Sequence, residues 1–148
     1  MSFIASIENA LTRHVPDSLV SLALRFGLAV PFFKSGLTKW SGIGQLSDSA
    51  ILLFEEEFKF HILGKIYDYP FPKLMAYGAG VAEILCPLLL ALGLFGRLAA
   101  FGMLIMTAVI QLTIPDGWPI HLTWAAMALA LLVLGSGRLS LDNIIRGV

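Results

Sequence analysis

Apolar positions along this chain neither alternate nor keep to one narrow stripe. They fall into four long blocks, at residues 18–39, 74–96, 98–114 and 120–137. A helix needs about 20 residues to cross a hydrocarbon core of ~30 Å. Each block therefore predicts a spanning helix, the third at the short end of the range. A membrane β-barrel would instead show stretches of about 10 residues with alternating polarity. The predicted fold is all-α, an integral membrane four-helix bundle forming a single membrane domain over residues 1–148.

The connections are unequal. "LFGRL" makes a tight turn between the second and third blocks. "PDGWP" joins the third to the fourth, with Pro115, Gly117 and Pro119 as breakers. The first and second blocks are separated by residues 40–72, a length that usually carries structure or function of its own. Within it, "SDSAILLFEEEFKFHIL" offers Ser47 or Asp48 as a helix cap. Ile51, Phe54, Phe58 and Ile62 then share one helical face. An amphipathic helix is expected there, lying on the membrane or capping the bundle, with Glu55, Glu56 and Glu57 on its solvated side. Ahead of the first block, Phe3, Ile7, Ala10 and Leu11 recur at helical spacing and predict a short interfacial helix. That opening stretch lacks the basic region and continuous apolar core of a secretory signal. No internal repeat or low-complexity tract suggests a second domain.

Composition agrees with a lipid environment. Hydrophobic residues make up 57% and charged residues 14%, against roughly 25% charged in an average soluble domain. Net charge is +0, and no nucleic-acid partner is expected. Four spans put both chain ends on one side, with Arg13, Arg97, Arg138 and Arg146. Lys39, Lys59, Lys65 and Lys73 fall on the other, so the positive-inside rule alone leaves orientation open. Cys86 is the single cysteine, which excludes an intramolecular disulfide, a CxxC pair and a CxxCH haem attachment.

Charges at bilayer depth cost ~2.5–3.5 kcal/mol each on insertion scales and usually face a partner or a cavity. Three stand out: Arg25, Lys34 and Glu83. Counting inward from Lys39 and Lys73, both cations lie roughly 6–8 Å from the level of Glu83, within reach of a long side chain. They are nine residues apart, so on a straight helix they point to opposite faces. Pro31 lies between them and can kink the segment. Arg25 is the favoured partner, being deeper and permanently charged, while Lys34 can snorkel to the interface. The pair could simply fix helix packing, or it could serve binding or proton handling.

A second group gathers near the Lys39 side. Gln111 ends the third block, and His121 and Trp124 open the fourth, with Lys34 at similar depth. A small molecule with an acceptor edge could sit among Lys34, Gln111 and His121, stacked on Trp124. The plainer reading makes Trp40 and Trp118 interfacial anchors and His121 a helix-end cap. Cys86, Met103, Met106 and His121 are soft ligands that would suit copper, but no HxxxH, CxxC or MxxxM spacing joins them, and no metal is expected. His14 and His61 lie outside the spans, which leaves no bis-histidine haem site within the bundle. Ala76 with Gly80, and Gly78 with Ala82, make small-xxx-small pairs that favour close helix contact.

Several stretches together resemble the DoxX family of small four-helix membrane proteins. They are "LRFGLAVPFFKSGLTKW", "AEILCPLLLALGLFGRLAA", "MTAVIQLTIPDGWPIHLTWA" and "GSGRLSLDNII". The resemblance covers about residues 20–143. It implies a multi-pass protein of the bacterial inner (cytoplasmic) membrane with both termini cytoplasmic, so that the arginines lie inside and the long loop outside. The family name comes from a subunit associated with a terminal quinol oxidase, and other members are linked to thiol and oxidative-stress systems. The family's first-helix arginine falls on Arg25 and its second-helix glutamate on Glu83. The functional expectation is a redox-associated subunit that binds a quinone or other small molecule through Arg25, Lys34, Glu83, Gln111, His121 and Trp124. Gln111 and His121 would hydrogen-bond a carbonyl or hydroxyl, and His121 could exchange a proton near neutral pH. Arg25 would keep Glu83 ionised. The competing class is a non-catalytic scaffold, or a small-solute or metal-handling module. Besides the lipid bilayer, a membrane protein partner or a second copy of the chain is expected.

Overall fold

The computed structural model describes Ile7 and residues 16–146. The interfacial helix expected over residues 3–11 lies, Ile7 apart, outside the described residues. Four long helices follow the four apolar blocks: α1 (Asp17–Thr38), α3 (Pro72–Leu92), α4 (Gly96–Thr113) and α5 (Trp118–Leu134). All four are long and apolar enough to cross a membrane, the last taken with the 3₁₀ turn Pro115–Gly117 before it. α1 packs mainly on α3, and α4 on α5. The α3–α4 and α1–α5 seams are less closely packed. The core is small and tight: Leu28, Phe32, Leu90, Ala99, Ala100, Met103, Ala128 and Leu131. Outward-facing apolar residues such as Val133, Leu98 and Leu122 are largely uncovered, as lipid contact requires.

The second block ends earlier than its apolar run. Gly93 takes the left-handed conformation and closes α3, with the Leu94 N–H reaching back to the Leu89 carbonyl. This is the usual glycine C-terminal cap, where a Cβ would be strained. The next two residues, Leu94 and Phe95, turn the chain into α4. There the short helix α6 (Leu141–Arg146) closes over the turn, and Asp142 accepts hydrogen bonds from the Phe95 and Gly96 N–H groups at 3.0 and 2.9 Å. A carboxylate is well placed at the electropositive start of a helix.

Small residues decide how close α1 and α3 come. A Cβ on Gly36 would lie 2.9 Å from the Glu83 carbonyl carbon, and one on Gly80 would lie 2.8 Å from the Trp40 ring. Gly36 therefore sits at the level of Glu83. Glu83 is ten residues past Lys73 but Gly36 only three before Lys39, so Lys39 lies about 10 Å short of the level of Lys73 at the start of α3.

The long connection fills that step. It begins with a short β1–β2 hairpin (Trp40–Gly42 and Gln45–Leu46). Ser47 then caps α2 (Asp48–Leu52), its Oγ accepting from the Ala50 N–H at 3.2 Å. This is one of the two caps expected from the sequence. The helix does not continue to Ile62 as expected. A π turn (Leu53–Glu57) ends it, and β3 (Lys59–Ile62) pairs antiparallel with β4 (Lys65–Asp68). The helical spacing of Phe58 and Ile62 masked a hairpin that Leu63–Gly64 turns and that aromatic and β-branched residues favour. Phe54, Phe58, Phe60 and Tyr69 cluster under this layer, with adjacent ring centroids 4.2–5.5 Å apart.

Candidate functional site

The two buried charges expected to meet lie apart. Arg25 donates to four backbone carbonyls: Nε to Leu90 at 2.9 Å, Nη1 to Ser136 and Leu139 at 2.8 and 2.7 Å, and Nη2 to Ala91. Its neighbours are the end of α3 and the strand of chain leading into α6. The planar guanidinium fork suits such a set of diverging acceptors. The Arg25–Glu83 pair is thus corrected: Arg25 ties the C-terminal segment to the bundle and does not reach Glu83. Lys34 is not the partner either. It lies on the exposed face of α1.

Glu83 pairs with Lys39, Nζ to Oε2 at 2.6 Å, and both side chains are about nine-tenths buried. Lys39 also reaches Ser35 Oγ one helical turn back, at 3.2 Å. The step between α1 and α3 explains the pairing. Lys39 emerges one turn above the Gly36–Glu83 crossing, and helical side chains lean back toward the N-terminus. Treating Lys39 as a surface marker level with Lys73 hid this from the sequence reading.

The ion pair forms part of the wall of a half-open cavity of about 440 Å³ among the four spans. Most of its lining is apolar, drawn from Pro31, Phe32, Met75, Ala82, Met106 and Val109. Phe54, Phe58 and Tyr69 line it from the long connection. Tyr69 is nearly buried and hydrogen-bonds Thr113, whose own hydroxyl donates to the Val109 carbonyl at 2.8 Å. The Tyr69 hydroxyl is therefore the donor to Thr113. Burial pushes the Tyr69 phenol above the usual tyrosine range.

His121 and Trp124 line the same cavity. The rings lie 5.4 Å apart, and Trp124 leans on Phe32 at 4.8 Å. The His121 ring also lies over Gly117, where a Cβ would come within 2.5 Å of Cε1. Gln111 does not line the cavity but sets the imidazole. Its Nε2 donates to the Pro115 carbonyl at 3.1 Å, which turns its Oε1 toward His121 Nδ1 at 2.8 Å. Nδ1 of the neutral ring must then carry the proton, and Nε2 is left as an acceptor.

Of the six residues expected to bind a ligand, Glu83, His121 and Trp124 line one cavity, and Gln111 stands behind His121. Arg25 and Lys34 are elsewhere. Lys39, Ser35, Tyr69 and Thr113 were missed; the one available signal was the i, i+4 spacing of Ser35 and Lys39 on the Gly36 side of α1. Trp118 is exposed, as an interfacial anchor would be, whereas Trp40 is tucked against Gly80 with its buried Nε1 unpartnered among the described residues. Among the described residues no three His, Cys, Asp or Glu side chains gather as a metal site.

Four spanning helices around an apolar cavity with a buried ion pair define a multi-pass membrane protein. Comparison with known proteins narrows the class. The DoxX family profile matches residues 20–116, more than half of the chain, and the chain belongs to that family. A Haemophilus influenzae protein described only as uncharacterized is 30% identical over 140 residues, spanning 86% of this chain and 83% of its own. No solved structure matches.

Proposed function

We propose that this DoxX-family protein binds a quinone-like molecule in the four-helix cavity, as a subunit working beside membrane redox proteins. The observation that carries the reading is an apolar cavity that holds two opposed kinds of polar group. Lys39 has a third N–H beyond those given to Glu83 and Ser35, available to a carbonyl oxygen. His121 Nε2 is an acceptor, available to a hydroxyl. In this reading a ring bearing oxygens at opposite edges engages both groups, with Trp124 offering a face for stacking. Ligand pockets of this kind, mostly apolar with a few fixed polar groups, are the usual small-molecule sites. In this reading the protein lies in the bacterial inner membrane with both termini cytoplasmic, a topology that membership of the DoxX family supports, and the cavity then lies in the outer half of the bilayer.

The test is a titration of detergent-solubilised protein with the tailless ubiquinone headgroup, alongside mass spectrometry of co-purifying lipids. Saturable binding is expected, weakened about tenfold in His121→Ala, the loss typical of one well-made hydrogen bond. Absence of saturable binding, or binding that His121→Ala and Glu83→Gln both leave intact, overturns the reading.

A further inference from the structure

The cavity is built unevenly around its rim. Toward the long connection it is roofed by the aromatic rings of Phe54, Phe58 and Tyr69, and Phe54 and Tyr69 are each only 6% exposed. Toward α1 the helix contact is sealed by glycine: no Cβ could fit at Gly36 or Gly80 without meeting backbone or a tryptophan ring. Toward the α3–α4 seam the picture reverses. Leu74 and Gly78 of α3 and Ile105 of α4 all line the cavity, yet they are exposed on the outside of the bundle, Leu74 at 69% and Ile105 at 50%. A Cβ at Gly78 would meet nothing within 4 Å.

Depth puts this mouth in hydrocarbon. Gly78 lies six residues into α3, and Ile105 eight residues before the end of α4, or about 9 and 12 Å from the helix ends. An apolar opening there costs little, because lipid tails are as apolar as the side chains they touch. The same opening on a water-facing surface would be a liability.

We propose that the α3–α4 seam at Gly78 is a lateral portal through which an amphiphile dissolved in the bilayer enters. Its polar head reaches Lys39, Glu83 and His121, and its long apolar chain stays in the seam and the surrounding lipid. This inference rests on the small-molecule reading above and specifies the ligand class: a head with hydrogen-bonding oxygens on an apolar chain, taken from lipid rather than from water. The two small-residue pairs of α3 then divide their work. Ala76 and Gly80 close the bundle against α1 and Trp40, and Gly78 and Ala82 leave the side passage open.

The test uses the full chain in phospholipid vesicles with decylubiquinone carrying a diazirine at the chain end. Irradiation is expected to label Leu74, Gly78 or Ile105, and excess plain decylubiquinone is expected to suppress it. Labelling of Phe58 or of the β3–β4 hairpin instead overturns the portal, as does labelling spread over lipid-facing residues that competitor leaves unchanged. Gly78→Trp provides a second measurement. Decylubiquinone affinity is expected to fall about tenfold and tailless headgroup affinity to change less than about threefold, since a bulky side chain obstructs only the ligand that must pass through the seam. Equal losses for both ligands overturn the portal. If the portal fails while the tailless headgroup still binds, the binding reading stands; if neither ligand binds, both fall.

Discussion

The two ends of the bundle treat a buried charge in opposite ways. At the end bearing Arg97 and Arg138, Arg25 is held by four backbone carbonyls, and Asp142 caps the α3–α4 turn beside it. Each of these contacts ties a charged side chain to the backbone of another segment. At the opposite end, Lys39 and Glu83 satisfy each other but also face a cavity, with His121 presenting an acceptor nearby. Arg25 commits four of its five N–H donors to backbone carbonyls. A charge pair set in a cavity wall keeps spare donors and lone pairs directed at whatever occupies it. Burial of an ionic group is thus no guide to function until its partners are known.

The largest expected effect comes from breaking the Arg25 end. Arg25→Leu strands the carbonyls of Leu90, Ala91, Ser136 and Leu139, and each buried unsatisfied group costs about 1–3 kcal/mol. A loss of at least about 4 kcal/mol in denaturant unfolding is expected, and Arg25→Lys is expected to recover little of it, since an ammonium lacks the guanidinium fork. A fully stable Arg25→Leu protein would show that the end is not held by this residue.

At the cavity end, stability and binding should come apart. Glu83→Gln leaves the Lys39 ammonium buried beside a neutral amide, at a cost of about 3 kcal/mol. The double variant Lys39→Met with Glu83→Leu is expected to regain most of that stability, because well-packed apolar residues often replace a buried ion pair without loss. It should still fail to bind the quinone headgroup. If the double variant binds as well as the unaltered protein, the pair is only packing, and the contrast between the two ends disappears.

The smallest effect concerns the roof. Tyr69→Phe removes the hydrogen bond to Thr113 and is expected to cost about 1 kcal/mol. The pH dependence has a definite sign. The folded protein holds the phenol proton more tightly than the unfolded chain does, so the stabilisation is complete below about pH 10. It is lost as pH rises through the raised value. Unfolding measured across that range should show a decline that Tyr69→Phe lacks.

Much of the architecture was readable from the sequence because lipid imposes a simple rule. In a hydrocarbon core every backbone group must be satisfied within the segment, so apolar length alone identifies a helix. The four blocks, the tight α3–α4 turn and the Ser47 cap are legible on that ground. The β3–β4 hairpin was not, because Ile51, Phe54, Phe58 and Ile62 fit a helical period as well as a π turn followed by a strand. For the site, Glu83, Gln111, His121 and Trp124 were legible as polar or aromatic groups out of place in apolar blocks. Arg25 was legible as unusual but not as a backbone clamp, since its acceptors are carbonyls that every residue possesses.

The sequence by itself determined the number of spans, their approximate limits and the presence of a carboxylate at depth, because these follow from composition along one dimension. Only the tertiary structure decided which cation meets Glu83. That choice depends on how far α1 slides along α3, and the slide is set by where Gly36 lets the two backbones touch. A difference of about 10 Å in helix level moved the partner from Arg25 to Lys39, and left beside it the space that the cavity occupies.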